Sequence, residues 1–346
     1  MSRTDSERDS GSVAKLERVA VALPVGLRVR VQEEKDLEHA LAFQNRFARP
    51  ARRQSLEDAR RWEKNNPQPK RLILLVQDGA GEIVALGSTT DGGVFAREDG
   101  TFRLGLRVAP EWRRSGVGSA LLGALEAHGK EAGATRLTTT VRGDEPEGLA
   151  FATRHGYEEY HREVTSYVQL QRFDGRGFPA AEETAAQAGL RLATYAEIAM
   201  ERADDLEAFQ RQLYGVICEV AYDIPSAEPV VNPPFEAIRH MYFGDKSFDH
   251  PTSILALRDG RVVGSTITTV NDVGAAYTVH TGVLRRERGK GIATALKLRA
   301  IRALRAAGVQ LYGTTNDEAN VAMRGINRRL GYEPDPPSVH VRKDLH

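Results

Sequence analysis

Apolar and polar positions alternate along this chain with two periods, and the order in which the periods follow one another occurs twice. From Gly26, "GLRVRV" alternates as a short strand, and "EEKDLEHALAFQNRF" and "SLEDARRWEKN" carry helical spacing. "RLILLVQDGAGEIVALGSTT" predicts two strands joined at a turn containing Asp78-Gly79. "GTFRLGLRV" predicts a further strand that runs into "EWRRSGVGSALL". From Val117, apolar residues at Leu121, Ala124 and Leu125 keep the helical period, and Gly133 supplies a C-terminal stop. "ATRLTTTV" reads as a strand, "PEGLAFATRHGY" as a short helix and "REVTSYVQL" as a last strand.

The order then starts again. "LRLATY" is a strand; "AEIAMERADDLEAFQRQLYG" and "PFEAIRHMYFG" are helical. "SILALRDGRVVGSTITTV" gives two strands around Asp259-Gly260, and "AAYTVHTGV" a third. Ile292, Leu296, Ala300, Leu304 and Ala307 mark a long helix ending at Gly308. "VQLYGTT", "DEANVAMRGINRRLGY" and "SVHVRKDL" complete it as strand, helix and strand. Arg113 and Arg288 lie 175 positions apart, and the same offset pairs Gly116 with Gly291, Gly118 with Ala293, Gly133 with Gly308 and Gly156-Tyr157 with Gly331-Tyr332. We read two copies of one domain, residues 26–173 and 189–346, a Gly- and Ala-rich linker at 174–188 and a disordered tail at 1–25.

Composition narrows the functions available. Of 346 residues, 41% are hydrophobic and 27% charged, enough for ordinary cores. The 48 basic and 47 acidic residues are mixed and nearly cancel, so no bulk field draws nucleic acid or an anionic membrane. No run of 18 apolar residues suggests a membrane span. The one cysteine, Cys218, reads as a buried small hydrophobe and fits a reducing cytoplasm. Oligomeric state stays open between monomer and homodimer.

Chemistry enters at the repeated glycine turn. A helix start leaves backbone N–H groups without partners, and the helix dipole adds positive potential there. Glycine lets an anion approach the backbone, and arginine adds a planar cationic fork. Both copies supply the parts: Val108, Arg113, Arg114, Gly116, Val117 and Gly118 in the first; Val283, Leu284, Arg288, Gly289, Lys290, Gly291, Ile292 and Ala293 in the second. A dinucleotide fingerprint fails on the third glycine spacing, and a Walker loop fails because no Ser or Thr follows Lys290.

The pattern strand, Val, Pro two residues on, then Arg-x-x-Gly-x-Gly/Ala and helix is met by "VAPEWRRSGVGSALL" and, with Arg285 at the proline position, by "VLRRERGKGIATALK". This resembles the acyl-CoA signature of the GNAT N-acetyltransferase superfamily, in tandem over nearly all the chain beyond the tail. Tandem members such as mycothiol synthase have a similar length and layout. The resemblance implies an α/β (α+β) fold: two tandem GNAT domains, each a mixed, centrally splayed sheet flanked by helices. It also implies acetyl-CoA as cosubstrate, a small-molecule amine as acceptor, and no metal. The signature residues of both copies are then expected to bind the cosubstrate.

Relatives carry an Asn at the start of the helix after the fifth strand, a Tyr acid in that helix, and often a Glu base six residues before the signature Val. Asn320 matches the first, either as a pantetheine contact or as a plain helix residue, while Glu145 stands there in the first copy. Asn316 reads as an N-cap or a cosubstrate contact. The Tyr position holds Asn327 and Ala152; the Glu position holds Tyr277 and Phe102. Tyr277 could relay a proton or simply pack, and His280 lies on the opposite strand face unless the strand bulges. Glu219 and Asp223, in "CEVAYDIPSAEP", could bind an amine on the acceptor wall or stand in a solvated loop. These groups place the expected chemistry in the second copy, with the first binding CoA or giving support. The alternative from another class is a non-catalytic acyl-CoA sensor or assembly module.

Overall fold

A computed structural model of the chain describes residues 19–226, 228–244, 248–271 and 274–345. Its strands form one sheet. The first copy contributes β1 (Arg28–Val31), β2 (Leu72–Gln77), β3 (Ile83–Thr90), β4 (Thr101–Val108), β5 (Arg136–Arg142) and β6 (Glu158–Gln169). The second contributes β7 (Arg191–Thr194), β8 (Ile254–Arg258), β9 (Arg261–Val270), β10 (Ala275–Val283), β11 (Leu311–Asp317), β12 (Glu333–Pro334) and β13 (Ser338–Asp344). The order is β1-β2-β3-β4-β5-β13-β6-β11-β10-β9-β8-β7, with β12 paired to β6.

The centre of this order shows how the copies are joined. The last strand of each copy sits beside the fifth strand of the other: β13 pairs with β5 over seven residues, and β6 pairs with β11 over seven. β13 and β6 also pair with each other. Apolar burial follows the exchange. Val339 and Val341 of β13 complete the first copy's core, and Val168 of β6 joins the second copy's. Sequence boundaries and sheet halves therefore do not coincide.

The helices hold the register read from the 175-residue offset. α1 (Leu37–Asn45) and α2 (Leu56–Asn65) follow β1; α3 (Val117–Glu131) and α4 (Pro146–Arg154) flank β5. α5 (Ala181–Gln187) precedes β7; α6 (Tyr195–Glu201), α7 (Leu206–Ala221) and α8 (Phe235–Ile238) follow it. α9 (Ile292–Ala306) and α10 (Val321–Arg329) are the offset partners of α3 and α4. Leu121 and Leu125, one turn apart on α3, are fully buried on the sheet, as are Leu296 and Ala300 on α9. Each such leucine contributes roughly 1.5–3 kcal/mol of transfer free energy.

Two organisational expectations change. The stretch expected as a linker contains α5, whose Ala181 and Ala185 are fully buried in the second copy's core. Residues 1–18 of the expected tail lie outside the described residues, but Val19 is buried against the first copy's core, so order begins before Gly26. Cys218 is half-buried rather than buried. No helix among the described residues is long and apolar enough to cross a membrane.

Candidate active site

Both copies contain the same opening in the sheet. β4 and β5 run parallel and pair only over Thr101–Arg103 with Arg136–Thr138, then diverge. β10 and β11 pair only over Ala275–Tyr277 with Leu311–Gly313. A helix starts at the mouth of each opening from a glycine in the left-handed region: Gly116 at φ 91° and Gly291 at φ 77°. In the first copy, helix geometry leaves the amides of Val117, Gly118 and Ser119 without intrahelical acceptors; Ala120 is the first to bond back, to the Gly116 carbonyl at 3.0 Å.

The two openings differ in what fills them. In the first copy a cleft of about 580 Å³ is walled by Leu104, Leu106 and Val108 of β4, by Phe151 and Ala152 of α4, and by Arg113, Arg114, Gly116 and Gly118 at its mouth. A Cβ placed on Gly116 meets nothing within 4 Å. Arg113 Nε donates to the Val108 carbonyl at 3.3 Å, and no described residue forms an ion pair with Arg113 or Arg114. Apolar walls with an amide-and-arginine mouth fit a long, mostly apolar thioester ending in phosphates. The side chain of Val117 is buried in the core, so only its amide is available.

In the second copy the α9 amides are left in the same way, Ala295 being the first to bond back, to the Gly291 carbonyl at 3.0 Å, but the chain's own side chains stand at the mouth. Asp223 accepts from Arg288 Nη2 at 2.6 Å and also pairs with Arg285, so a carboxylate occupies the signature arginine. These guanidinium groups hold the Asp223 carboxyl below its ordinary range. A Cβ on Gly282 would lie 2.1 Å from Val220, and one on Gly291 would lie 3.1 Å from Thr184. Lys290 pairs with Glu287 at 2.9 Å, whereas the Leu284 amide bonds the Val263 carbonyl at 2.9 Å just as the Ala109 amide bonds that of Val84 in the first copy. Val283 and Ile292 are buried in the core, Ala293 packs against it, and Gly289 is open.

The other residues anticipated in the second copy are placed as follows. β10 bulges between Thr278 and His280, which brings His280 onto the face of Tyr277. Arg52, from the loop after α1, covers the Tyr277 ring at 3.9 Å and donates to its hydroxyl at 2.9 Å. His280 Nε2 is buried without a partner, and desolvation pushes the imidazole down to about 4. Glu219 is exposed on α7. The N-cap of α10 is Asn320, accepting from the Met323 amide at 3.1 Å, and not Asn316. Asn316 lies on β11 and accepts from buried Asn327 at 2.6 Å. Asn and Asp both cap helices well, and the residue adjoining the first helical turn takes the role.

Lys297 marks the sharpest difference between the copies. It stands at the offset position of Leu122, which lines the first cleft, and it is fully buried. Its ammonium lies 4.9 Å from the Tyr332 ring and 5.7 Å from the Tyr312 ring, with no hydrogen-bond partner among the described residues. Desolvation pushes it down to about 7. An unfolded lysine keeps its proton to about 10.4, so between pH 7 and that value the folded chain holds fewer protons. Stability therefore rises with pH through this window, and the penalty is complete below it. Lys297→Leu should raise the melting temperature at pH 7 by roughly 4 °C or more, with the gain shrinking towards pH 10. A lower melting temperature in the variant at pH 7 would reveal an anionic partner.

A second cleft, of about 610 Å³, adjoins the first and shares Leu104, Arg107, Thr139 and Thr140 with it. Both copies build it. Arg103 and Arg107 come from β4, His161 and Glu163 from β6, and His340 from β13. The loop of the second copy at Ser226 and 228–231 walls it, tied across by the ion pair of Glu228 with Arg97. The Pro-rich loop, expected beside the second copy's own site, lines this cleft next to the first copy's splay instead.

Strand exchange assembles the polar groups. β13 lies between β5 and β6, so His340 is flanked by Thr140 and His161. His340 Nδ1 is 3.5 Å from the Thr140 hydroxyl, and Nε2 is 3.2 Å from Glu163. His161 Nε2 lies 3.3 Å from Asp317, the register partner of Glu163. The two rings are 5.3 Å apart. His340 holds the Glu163 carboxyl below its ordinary range against the opposing effect of burial. None of His161, Glu163, His340, Arg103 or Arg107 was singled out from sequence. The available signal was the pair of arginines alternating with apolar residues on β4.

A splayed parallel strand pair, a glycine-started helix at its mouth and a second cleft meeting the first at the splay define an acyltransferase of the N-acetyltransferase type. The acetyltransferase (GNAT) family model matches residues 36–157 and 219–332, and the chain belongs to that family as a tandem member. A GCN5-related N-acetyltransferase from Sphaerobacter thermophilus is similar in fold, with TM-score 0.70 and 20% identity over 94% of this chain and 97% of that one. So is a tandem GNAT protein from the clavulanic acid biosynthesis pathway, with TM-score 0.70 and 21% identity over 92% and 99%. No curated protein matches the sequence.

Proposed function

We propose that this chain is an acetyl-CoA-dependent N-acetyltransferase acting on a small-molecule amine, and that transfer takes place in the first copy. The observation that carries this reading is the junction of two open clefts at the β4–β5 splay through Leu104, Arg107, Thr139 and Thr140. The α3 amides with Arg113 and Arg114 would hold the phosphates, and Leu104, Leu106 and Val108 would line the pantetheine arm. Acetyl-CoA supplies the activated acyl group; the chain supplies position and proton management.

An alkyl amine is mostly protonated at neutral pH, because its pKa is about 10. His340, facing the second cleft, receives the proton, and the Glu163 carboxylate steadies the resulting imidazolium. His161 and Asp317 form a parallel pair one strand away. Ala152, in the usual tyrosine position, offers no acid, so the thiolate departs without a tyrosine proton. A thiol pKa of about 8.5 makes that leaving group tolerable.

A second reading puts transfer in the second copy, and the β10 bulge at Thr278/His280 favours it, since β4 keeps regular register with β3. It requires Asp223 to leave Arg288 and Val220 to withdraw from Gly282. Thiol release with acetyl-CoA over an amine panel, on first-copy and second-copy variants, separates the two; no release with any amine would favour the non-catalytic module.

A further inference from the structure

We propose that the acceptor carries an anionic group, a carboxylate or a phosphate, besides the amine that is acylated, and that Arg103 and Arg107 receive that group. This inference rests on the reading that the second cleft is the acceptor site. β4 pairs with β3 in regular register, so Arg103, Gly105 and Arg107 share one strand face, opposite Leu104, Leu106 and Val108. That face lines the second cleft.

Neither arginine has an ion-pair partner among the described residues. The Arg103 guanidinium donates no hydrogen bond among the described residues, and the Arg107 guanidinium donates only to the Leu106 carbonyl, at 2.8 Å. Both side chains are reachable by solvent yet crowded by protein, as expected on a cleft wall. Burial lowers the affinity of each guanidinium for its proton; Arg97 adds to this at Arg103, while Glu145 partly offsets it at Arg107. By contrast Arg97, on the same rim, is neutralised by Asp99 and Glu228. Two cations left without a counter-ion stand beside one that is paired, so the cleft offers two free guanidinium groups. An anion entering the cleft can accept from both.

Two strands further along the same sheet, β13 and β6 bring His340, His161 and the Glu163 carboxylate to the cleft, with Glu163 3.2 Å from His340. A cleft that is cationic on one side and anionic on the other selects a zwitterion, its amine towards His340 and its anion towards β4. Amino acids and aminoalkyl phosphates have this form.

The test compares matched amines in the thiol-release assay with acetyl-CoA: amino acids, aminoalkyl phosphates, and the corresponding amines lacking the anion. Anion-bearing members should be preferred by roughly 10²-fold or more in kcat/KM. Arg103→Ala and Arg107→Ala should collapse that preference, mainly through KM, and Arg103→Lys should restore part of it. The carboxylate and phosphate arms decide which anion is meant. Equal or better use of neutral amines, or arginine variants that slow all amines alike, would overturn the inference. If nothing is turned over, thermal stabilisation by the same pairs makes the comparison, and stabilisation by neither member overturns it. Gly118→Glu separates the layers: if it abolishes turnover while the anion has no effect, only this inference fails; if turnover survives, the placement of the site fails first.

Discussion

Gly118→Glu is expected to lower thiol release by at least roughly 10²-fold and to remove thermal stabilisation by coenzyme A. Gly118 is the second residue of α3, and a Cβ there meets the Phe151 ring at 3.4 Å and Val108 at 3.7 Å, ordinary contact distances. The helix therefore accepts a side chain, and a glutamate near a helix N-terminus is favourable to the fold. Its carboxylate would lie where the α3 amides and Arg113 are left for phosphate, so repulsion and occupancy act together. The matched variant is Arg288→Ala. Arg288 is engaged by Asp223 and the Val283 carbonyl at an exposed position, so its loss should leave the melting temperature little changed and turnover within about threefold. The measurement is initial-rate thiol release with melting curves on both proteins. A silent Gly118→Glu with a dead Arg288→Ala would move the chemistry to the second copy.

His340→Ala is expected to cost roughly 10²–10⁴ in kcat/KM, the usual scale for a lost general base. The wild-type rate should rise with pH along one limb and stay flat at high pH, because no tyrosine acid stands at Ala152. The variant should lose the limb, and added imidazole should restore part of the rate. Glu163→Gln keeps the shape but removes the charge 3.2 Å from the ring, so it should cost about tenfold through a weaker imidazolium. A bell-shaped profile with a steep alkaline fall, traced by mutation to Tyr157 or Tyr160, would reveal an acid that the present account omits.

Much of this molecule was legible in its sequence because the information is local. The 175-residue offset placed α9 on α3 and α10 on α4, since glycine stops and 3.6-residue periods are properties of short windows. The glycine that opens each of these helices was legible for the same reason. What escaped is non-local. Period-2 patterns say that β6 and β13 are strands but not which strand each will lie beside, so the exchange had no sequence signature. With it went the meeting of His161, Glu163, His340 and Asp317, which comes from three strands of two copies. Asp223 was weighed as an amine-binding acid or a solvated loop residue; the structure places it on Arg288, 65 residues away. Tyr277 was weighed as a proton relay, and Arg52, 225 residues away, lies on its ring. A motif reports what a backbone turn could hold, whereas distant side chains decide whether it is free to do so.

The central claim is that one of two similar signatures is open to the cosubstrate and the other has the chain's own side chains at its mouth. A crystal structure of the protein with coenzyme A tests it most directly. The account predicts phosphates at the amides of Val117, Gly118 and Ser119, the arm between β4 and β5, and the Asp223–Arg288 pair intact. Coenzyme A bound only between β10 and β11, with Asp223 turned away from Arg288, would contradict it.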